Sequence, residues 1–122
     1  MTKTTMMHIG ELAERTGLSL RTIRHYDEVG LVKPSGRSDG GYREYSESDL
    51  DRLMLIRRMK PLGYSLEQMA ELLEVIDART GVHAADADEA LERFRADAAD
   101  RREKLATQLT MADEFIAELR AR

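Results

Sequence analysis

Apolar residues recur along this chain at changing periods, and the changes mark its elements. Ile9, Leu12 and Ala13 stand at helical spacing, and the stretch closes at Gly17, a natural left-handed stop. A second short helix is predicted over "LSLRTIRHYDEVGL", with Ser19 placed to cap it and Gly30 to end it. The junction "TGLS" makes the pair a helix-turn-helix pattern. Val32 and Lys33 are placed to start a strand, "PSGRSDGG" is dense in turn formers, and "YREY" alternates as a strand does. A β-hairpin, in other words a wing, is therefore expected directly after the second helix.

Helical spacing then returns. "SESDLDRLMLIRRMKPLG" opens on a Ser46 cap and points Leu50, Leu53, Met54 and Ile56 inward, with Pro61 expected to kink or finish the helix. "SLEQMAELLEVI" opens on a capping box, Ser65 with Gln68, and places Leu66, Met69, Leu72, Leu73 and Ile76 on one side. "DARTGVHAADAD" is small and polar and is read as a linker. From Glu89 to Arg122 there is no proline or glycine, and Leu91, Ala98, Leu105, Ala112 and Leu119 recur every seven residues. Phe94, Leu109, Phe115 and Ile116 lie alongside, and Arg101 and Arg102 interrupt the stripe. That is a coiled-coil seam, which one helix cannot bury alone, and no other helix of matching length is predicted. A homodimer is the direct inference. The expected organisation is a tail over 1–7, a winged helix-turn-helix over 8–76, a linker over 77–88 and a dimerisation helix over 89–122. The fold class is mainly α, with a small β-hairpin wing.

Composition narrows the chemistry. The 122 residues contain no cysteine, which excludes disulfides, thiolate metal sites and cysteine nucleophiles. The longest apolar run, Leu53 to Ile56, is far too short to span a bilayer, so a cytoplasmic protein without a membrane partner is expected. The net charge of −4 is unevenly spread. Residues 1–64 carry 11 Lys+Arg against 9 Asp+Glu, whereas residues 65–122 carry 8 against 14. Such a split suggests that only the first half meets a polyanion.

"RTIRHYDEVGL" concentrates the candidate chemistry. At about 100° per residue, Leu20, Ile23, Asp27 and Gly30 fall on one narrow arc, and Arg21, Arg24, His25 and Glu28 on another. The first arc suits packing, apart from Asp27; the second is cationic, with Tyr26 at the border of the packing arc. Arginine offers planar donors that match phosphate and the guanine edge. A wing bearing Arg37 and Arg43 follows, and Arg57, Arg58 and Lys60 close the third helix. Cations on three successive elements can converge on one phosphate backbone. No paired carboxylates, phosphate-cradling glycine loop or nucleophile with a base is present, so no enzyme is expected.

"IGELAERTGLS", "TIRHYDEVGL" and "GYREYSESDLDRL", in that order and spacing, resemble the N-terminal DNA-binding domain of the MerR family of bacterial transcriptional regulators. The likeness covers about residues 7–75, and the long helix resembles that family's dimerisation helix. It implies an antiparallel coiled-coil homodimer that presents two winged domains to a pseudo-palindromic promoter operator. It further implies that the operator's over-long spacer is bent and untwisted, bringing the RNA polymerase elements into register. DNA contacts would come from Ser19, Arg21, Arg24, His25 and Tyr26, from Arg37, Tyr42 and Arg43 of the wing, and from Lys60. The dimer seam would use Leu91, Phe94, Ala98, Leu105, Leu109, Ala112, Ile116 and Leu119. Family members often carry tyrosine where this chain has His25.

The departures concern sensing. Family members that sense metals or redox state do so through cysteines, which this chain lacks, and the sequence ends three residues after Leu119. No cofactor or metal is expected, and any small-molecule effector is unidentified. "HAADADE", with His83, Asp86, Asp88 and Glu89, lacks the glycine and spacing of a calcium loop. Asp and Glu at a helix start explain it better. Met54, Met59, Tyr64, Met69 and Phe94 read first as packing and second as the lining of an apolar effector pocket. An effector-independent repressor, an architectural DNA-binding protein and a coiled-coil adaptor are the competing readings.

Overall fold

The computed structural model describes residues 6–122. The chain forms two compact units, Met1–Ala70 and Glu71–Arg122. In the first, strand β1 (Met7–His8) leads into helix α1 (Ile9–Thr16), followed by α2 (Leu20–Glu28), β2 (Gly36–Arg37), β3 (Arg43–Tyr45) and α3 (Glu47–Met59). A 3-10 turn over Lys60–Leu62 follows, and α4 (Leu66–Ala78) begins in this unit. The long helix α5 (Ala84–Arg120) belongs to the second unit.

Local chemistry sets the ends of α1 and α2. Gly17 adopts φ 75°, a left-handed position that costs glycine little, and its N–H donates to the Ala13 carbonyl. The Ser19 hydroxyl accepts from the N–H of Thr22 and so caps α2. Between the helices Thr16 is almost fully buried, and its hydroxyl donates to the Leu12 carbonyl while accepting from the N–H of Leu18. A buried hydroxyl so satisfied carries no desolvation penalty and fixes the turn.

The sheet differs from the expectation in two places. Val32 and Lys33 form no strand; Val32 is buried in the loop, and the outer strand is Gly36–Arg37. Met7, expected in a tail, forms β1 with His8 and pairs antiparallel with β3, Met7 opposite Tyr45 and His8 opposite Glu44. The order is β1-β3-β2. A two-residue strand is too short to show alternation in a sequence, yet Met7 is inward and buried while His8 is exposed.

Helix α3 opens on a reciprocal cap: the Ser46 hydroxyl accepts from the Asp49 N–H, and the Asp49 carboxylate accepts from the Ser46 N–H. That carboxylate also accepts from the Ser35 N–H at 3.2 Å and hydroxyl at 2.6 Å, tying the loop before the wing to α3. The core of the unit is Met7, Leu12, Ile23, Tyr45, Leu53 and Ile56, each fully buried. Each buried aliphatic side chain contributes roughly 1.5–3 kcal/mol. Leu50 joins them as expected, while Met54 is only half-buried. Pro61 ends the α-helical pattern: the chain tightens into the 3-10 turn there. The Ser65–Gln68 capping box forms, each backbone N–H donating to the other's side chain.

Helix α5 starts at Ala84 rather than at Glu89, so the connection from α4 is residues 79–83 instead of 77–88. The small and polar residues of "DARTGVHAADAD" suggested a linker, but alanine is the strongest helix former, and Ala84, Ala85 and Ala87 carry the helix back five residues. Asp88 pairs with Arg79 at 3.0 Å, and His83 lies 3.9 Å from Asp86.

Candidate nucleic-acid interface

Helix α2 presents Arg21, Thr22, Arg24, His25, Tyr26 and Glu28 to an open concavity of about 900 Å³. Its far side is Lys60 from the 3-10 turn and Tyr64, Leu66 and Met69 around the start of α4. Five of the predicted contact residues therefore share one surface: Arg21, Arg24, His25, Tyr26 and Lys60. Tyr26 sits deeper than its border position suggested, only 4% exposed, with its ring 6.2 Å from that of His25. Burial pushes its phenol above the usual tyrosine range, so the group remains a neutral O–H donor at physiological pH.

The wing carries a second concavity, about 260 Å³, lined by His8, Ile9, Arg24, Arg37, Gly41, Tyr42 and Arg43. Arg24 lines both and links the helix surface to the wing. At the hairpin tip Gly41 adopts φ 81°, and its N–H donates to the Ser38 carbonyl. Arg37 donates to the Gly41 carbonyl at 3.1 Å. Tyr42 is 70% exposed, its ring lying over Gly40.

Asp27, the one polar residue on the packing arc, explains how the wing is held. Arg43 donates through Nε to Asp27 Oδ2 at 2.7 Å, and Arg37 Nη2 lies 3.7 Å from the same oxygen. The carboxylate raises the Arg43 pKa further, so that guanidinium is permanently charged. Arg43 is thus an anchor between β3 and α2, its side chain 24% exposed.

Ser19 lies on neither concave surface; its hydroxyl is committed to Thr22, accepting from the N–H and donating to Oγ1 at 2.8 Å. The basic run at the end of α3 is divided as well. Arg57 lies against Gly17, where a Cβ would come within 3.4 Å of its guanidinium, whereas Lys60 lines the groove. Sequence reasoning did not place His8 or Thr22 on these concave surfaces, nor assign Asp27 the role of holding the wing. Asp27 gave a signal, a carboxylate in a packing arc; His8 gave none, because only the sheet brings β1 beside the wing.

Of the residues read as a possible effector lining, Met59 is buried in the core of the first unit, Met54 is half-buried, and Tyr64 and Met69 line the first concavity. Phe94, in the second unit, is half-buried on α5. Among the described residues no three histidine or carboxylate side chains gather to hold a metal ion. On α5, Leu91, Phe94 and Ala98 are half-buried, whereas Leu105, Leu109, Ala112, Ile116 and Leu119 are exposed in the single chain.

A helix-turn-helix whose second helix is cationic, followed by a wing with its own arginines, defines a winged-helix domain of the nucleic-acid-binding type. Residues 7–75 match the family described as MerR HTH family regulatory protein, and residues 50–108 match the one described as MerR, DNA binding. The chain belongs to the MerR family. A probable heavy metal-dependent transcriptional regulator of Haemophilus influenzae is 51% identical over 58% of this chain and 56% of its own length. The HTH-type transcriptional regulator HmrR of Rhizobium leguminosarum is 37% identical over 93% of this chain and 75% of its own. Among solved structures, the N-terminal part of MtaN, the Bacillus subtilis multidrug transporter activator, matches with a TM-score of 0.57, 31% identity and 93% of both chains covered. The chain spans about half the length of the first two curated relatives, 56% and 51%. No helix among the described residues is long and apolar enough to cross a membrane.

Proposed function

We propose that this protein is a dimeric, sequence-specific DNA-binding regulator of transcription that grips a pseudo-palindromic promoter operator through α2 and the wing. The observation that carries the reading is the shared surface of Arg21, Arg24, His25, Tyr26 and Lys60, joined through Arg24 to the wing arginines. Each guanidinium and the Lys60 ammonium neutralises a phosphate and releases condensed counterions, which supplies affinity without sequence choice. Arg21, in the first turn of α2, and Arg24, at its middle, are both exposed and are placed to read base edges in the major groove.

Dimerisation through α5 pairs two such surfaces, and a two-fold protein calls for a two-fold operator. Bending and untwisting of the promoter follow from the family's mode of action, with the deformation offset by phosphate contacts. RNA polymerase is then the partner that benefits from the altered spacer.

Two experiments test this. Footprinting across the promoter region next to the coding sequence should reveal one protected, roughly two-fold-symmetric site. Sedimentation at micromolar concentration should give a dimer. Absence of any protected site, or a monomer, would overturn the corresponding half of the proposal.

A further inference from the structure

Two of the chain's three histidines lie on the concave surfaces that Arg24 joins, His25 on the first and His8 on the second. Both are exposed, His25 in the last turn of α2 and His8 on β1. The third, His83, belongs to the other unit and stands 3.9 Å from Asp86. Histidine is the side chain that ordinarily changes charge between pH 5 and 8, and an anion beside it favours the charged ring. Charged imidazole donates from both nitrogens and accepts from neither, which suits a phosphate oxygen.

The neighbours of both rings are mostly cations. His25 shares its surface with Arg21, Arg24, Tyr26 and Glu28 of α2, with Lys60 of the 3-10 turn and with Tyr64 before α4. His8 shares its own with Arg24 of α2, Arg37 of β2, and Tyr42 and Arg43 of the wing. Four carboxylates stand near, and two are already engaged: Glu11 of α1 lies 3.7 Å from Arg15, and Asp27 holds Arg43 and Arg37. The others are Glu28 and Glu44, the latter opposite His8 in the sheet. Among the described residues neither His8 nor His25 pairs with a carboxylate, in contrast to His83. The anion that completes the surroundings of each ring therefore comes from outside the chain.

Resting on the DNA-binding reading above, we propose that His8 and His25 couple DNA affinity to pH, each taking up a proton as its surface meets phosphate. His8 thereby becomes a further backbone contact, supplied by β1 beside the wing. The effect on charge is large for so small a unit. The first 64 residues carry 11 Lys+Arg against 9 Asp+Glu, an excess of two positive charges that protonation of both rings doubles. Binding that takes up protons is strengthened by acid, so the operator is held more tightly as pH falls towards 6.

Anisotropy with a promoter fragment at one fixed salt concentration tests this. Affinity should be roughly tenfold or more higher at pH 6 than at pH 8, and its salt dependence steeper by up to about two phosphate contacts per subunit. His8→Gln and His25→Gln should each remove part of the gain, the double variant should remove most of it, and His83→Gln should keep it whole. A double variant that responds to pH as fully as the unmodified chain would overturn the proposal. So would an unmodified chain whose affinity falls with salt but is equal at both pH values, which leaves the DNA-binding reading intact. A single variant that keeps the full response would remove that histidine from the assignment. No binding to the promoter fragment at either pH would overturn the DNA-binding reading and this proposal with it.

Discussion

Arg43 on the wing donates its Nε proton to Asp27 on α2 at 2.7 Å, and with Arg37 3.7 Å from the same carboxylate oxygen this contact ties the wing to the helix it accompanies. Both groups are partly withdrawn from water, the side chains 24% and 13% exposed. A charge-assisted hydrogen bond in such a place contributes on the order of 1.5–3 kcal/mol.

Asp27→Asn separates anchoring from bulk charge. The substitution removes a negative charge from the DNA-facing unit, so charge alone would tighten binding. Anchoring demands the reverse: a roughly tenfold loss of affinity, about 1.4 kcal/mol, measured by anisotropy with a promoter fragment at fixed salt. A gain in affinity would show that the wing does not depend on this contact.

Asp49 holds three donors from Ser35 and Ser46 besides reinforcing the start of α3. Asp49→Ala leaves those donors unpaired in a partly buried place and removes half of the capping box. Urea unfolding of the variant should show a loss of about 2–3 kcal/mol. A loss below about 0.5 kcal/mol would mean that water replaces the carboxylate without cost.

Tyr45 is fully buried, and its hydroxyl finds no partner among the described residues. Tyr45→Phe removes a polar group that gains nothing from its surroundings, so stability should stay level or rise by up to about 1 kcal/mol. Thermal unfolding checks this; a clear drop would reveal a hydrogen bond to that oxygen.

Burial raises the pKa values of Tyr26 and Tyr45 above the ordinary 10.0. Below that value both phenols are protonated in the folded and unfolded chains, and their contribution to stability is fully present. As pH rises past it the unfolded chain loses these protons first, so stability falls through the folded pKa values. Denaturation midpoints followed from pH 8 to 11 should decline above about pH 10, and the double variant Tyr26→Phe with Tyr45→Phe should decline less. Identical curves would remove the phenols from the account.

The sequence shows the elements where a strong period or a cap marks them. Ser19, Ser46 and the Ser65–Gln68 box each act at the predicted helix start, and Gly17 takes the left-handed geometry its position asks for. Features made by long-range pairing were hidden. Met7 and His8 become a strand only because Tyr45 and Glu44 arrive beside them. Tyr26 looked like a border residue because helical angle locates a direction and not a depth. Asp27 was visible as an anomaly, but its partner lies 16 residues further on, across a hairpin. Five of the proposed contact residues meet on one surface because they share α2 and the turn beyond α3, whereas the Ser19 hydroxyl is engaged as the cap of α2.

The central claim is that this cationic surface binds DNA by neutralising phosphates, and the salt dependence of affinity tests it most directly. For a dimer making six or more phosphate contacts, affinity for the promoter fragment should fall roughly a thousandfold between about 50 and 200 mM salt. Arg24→Ala should weaken binding on every sequence and make the slope shallower by about one contact per subunit. Affinity unchanged across that range would contradict the account and leave the basic face of α2 with another partner.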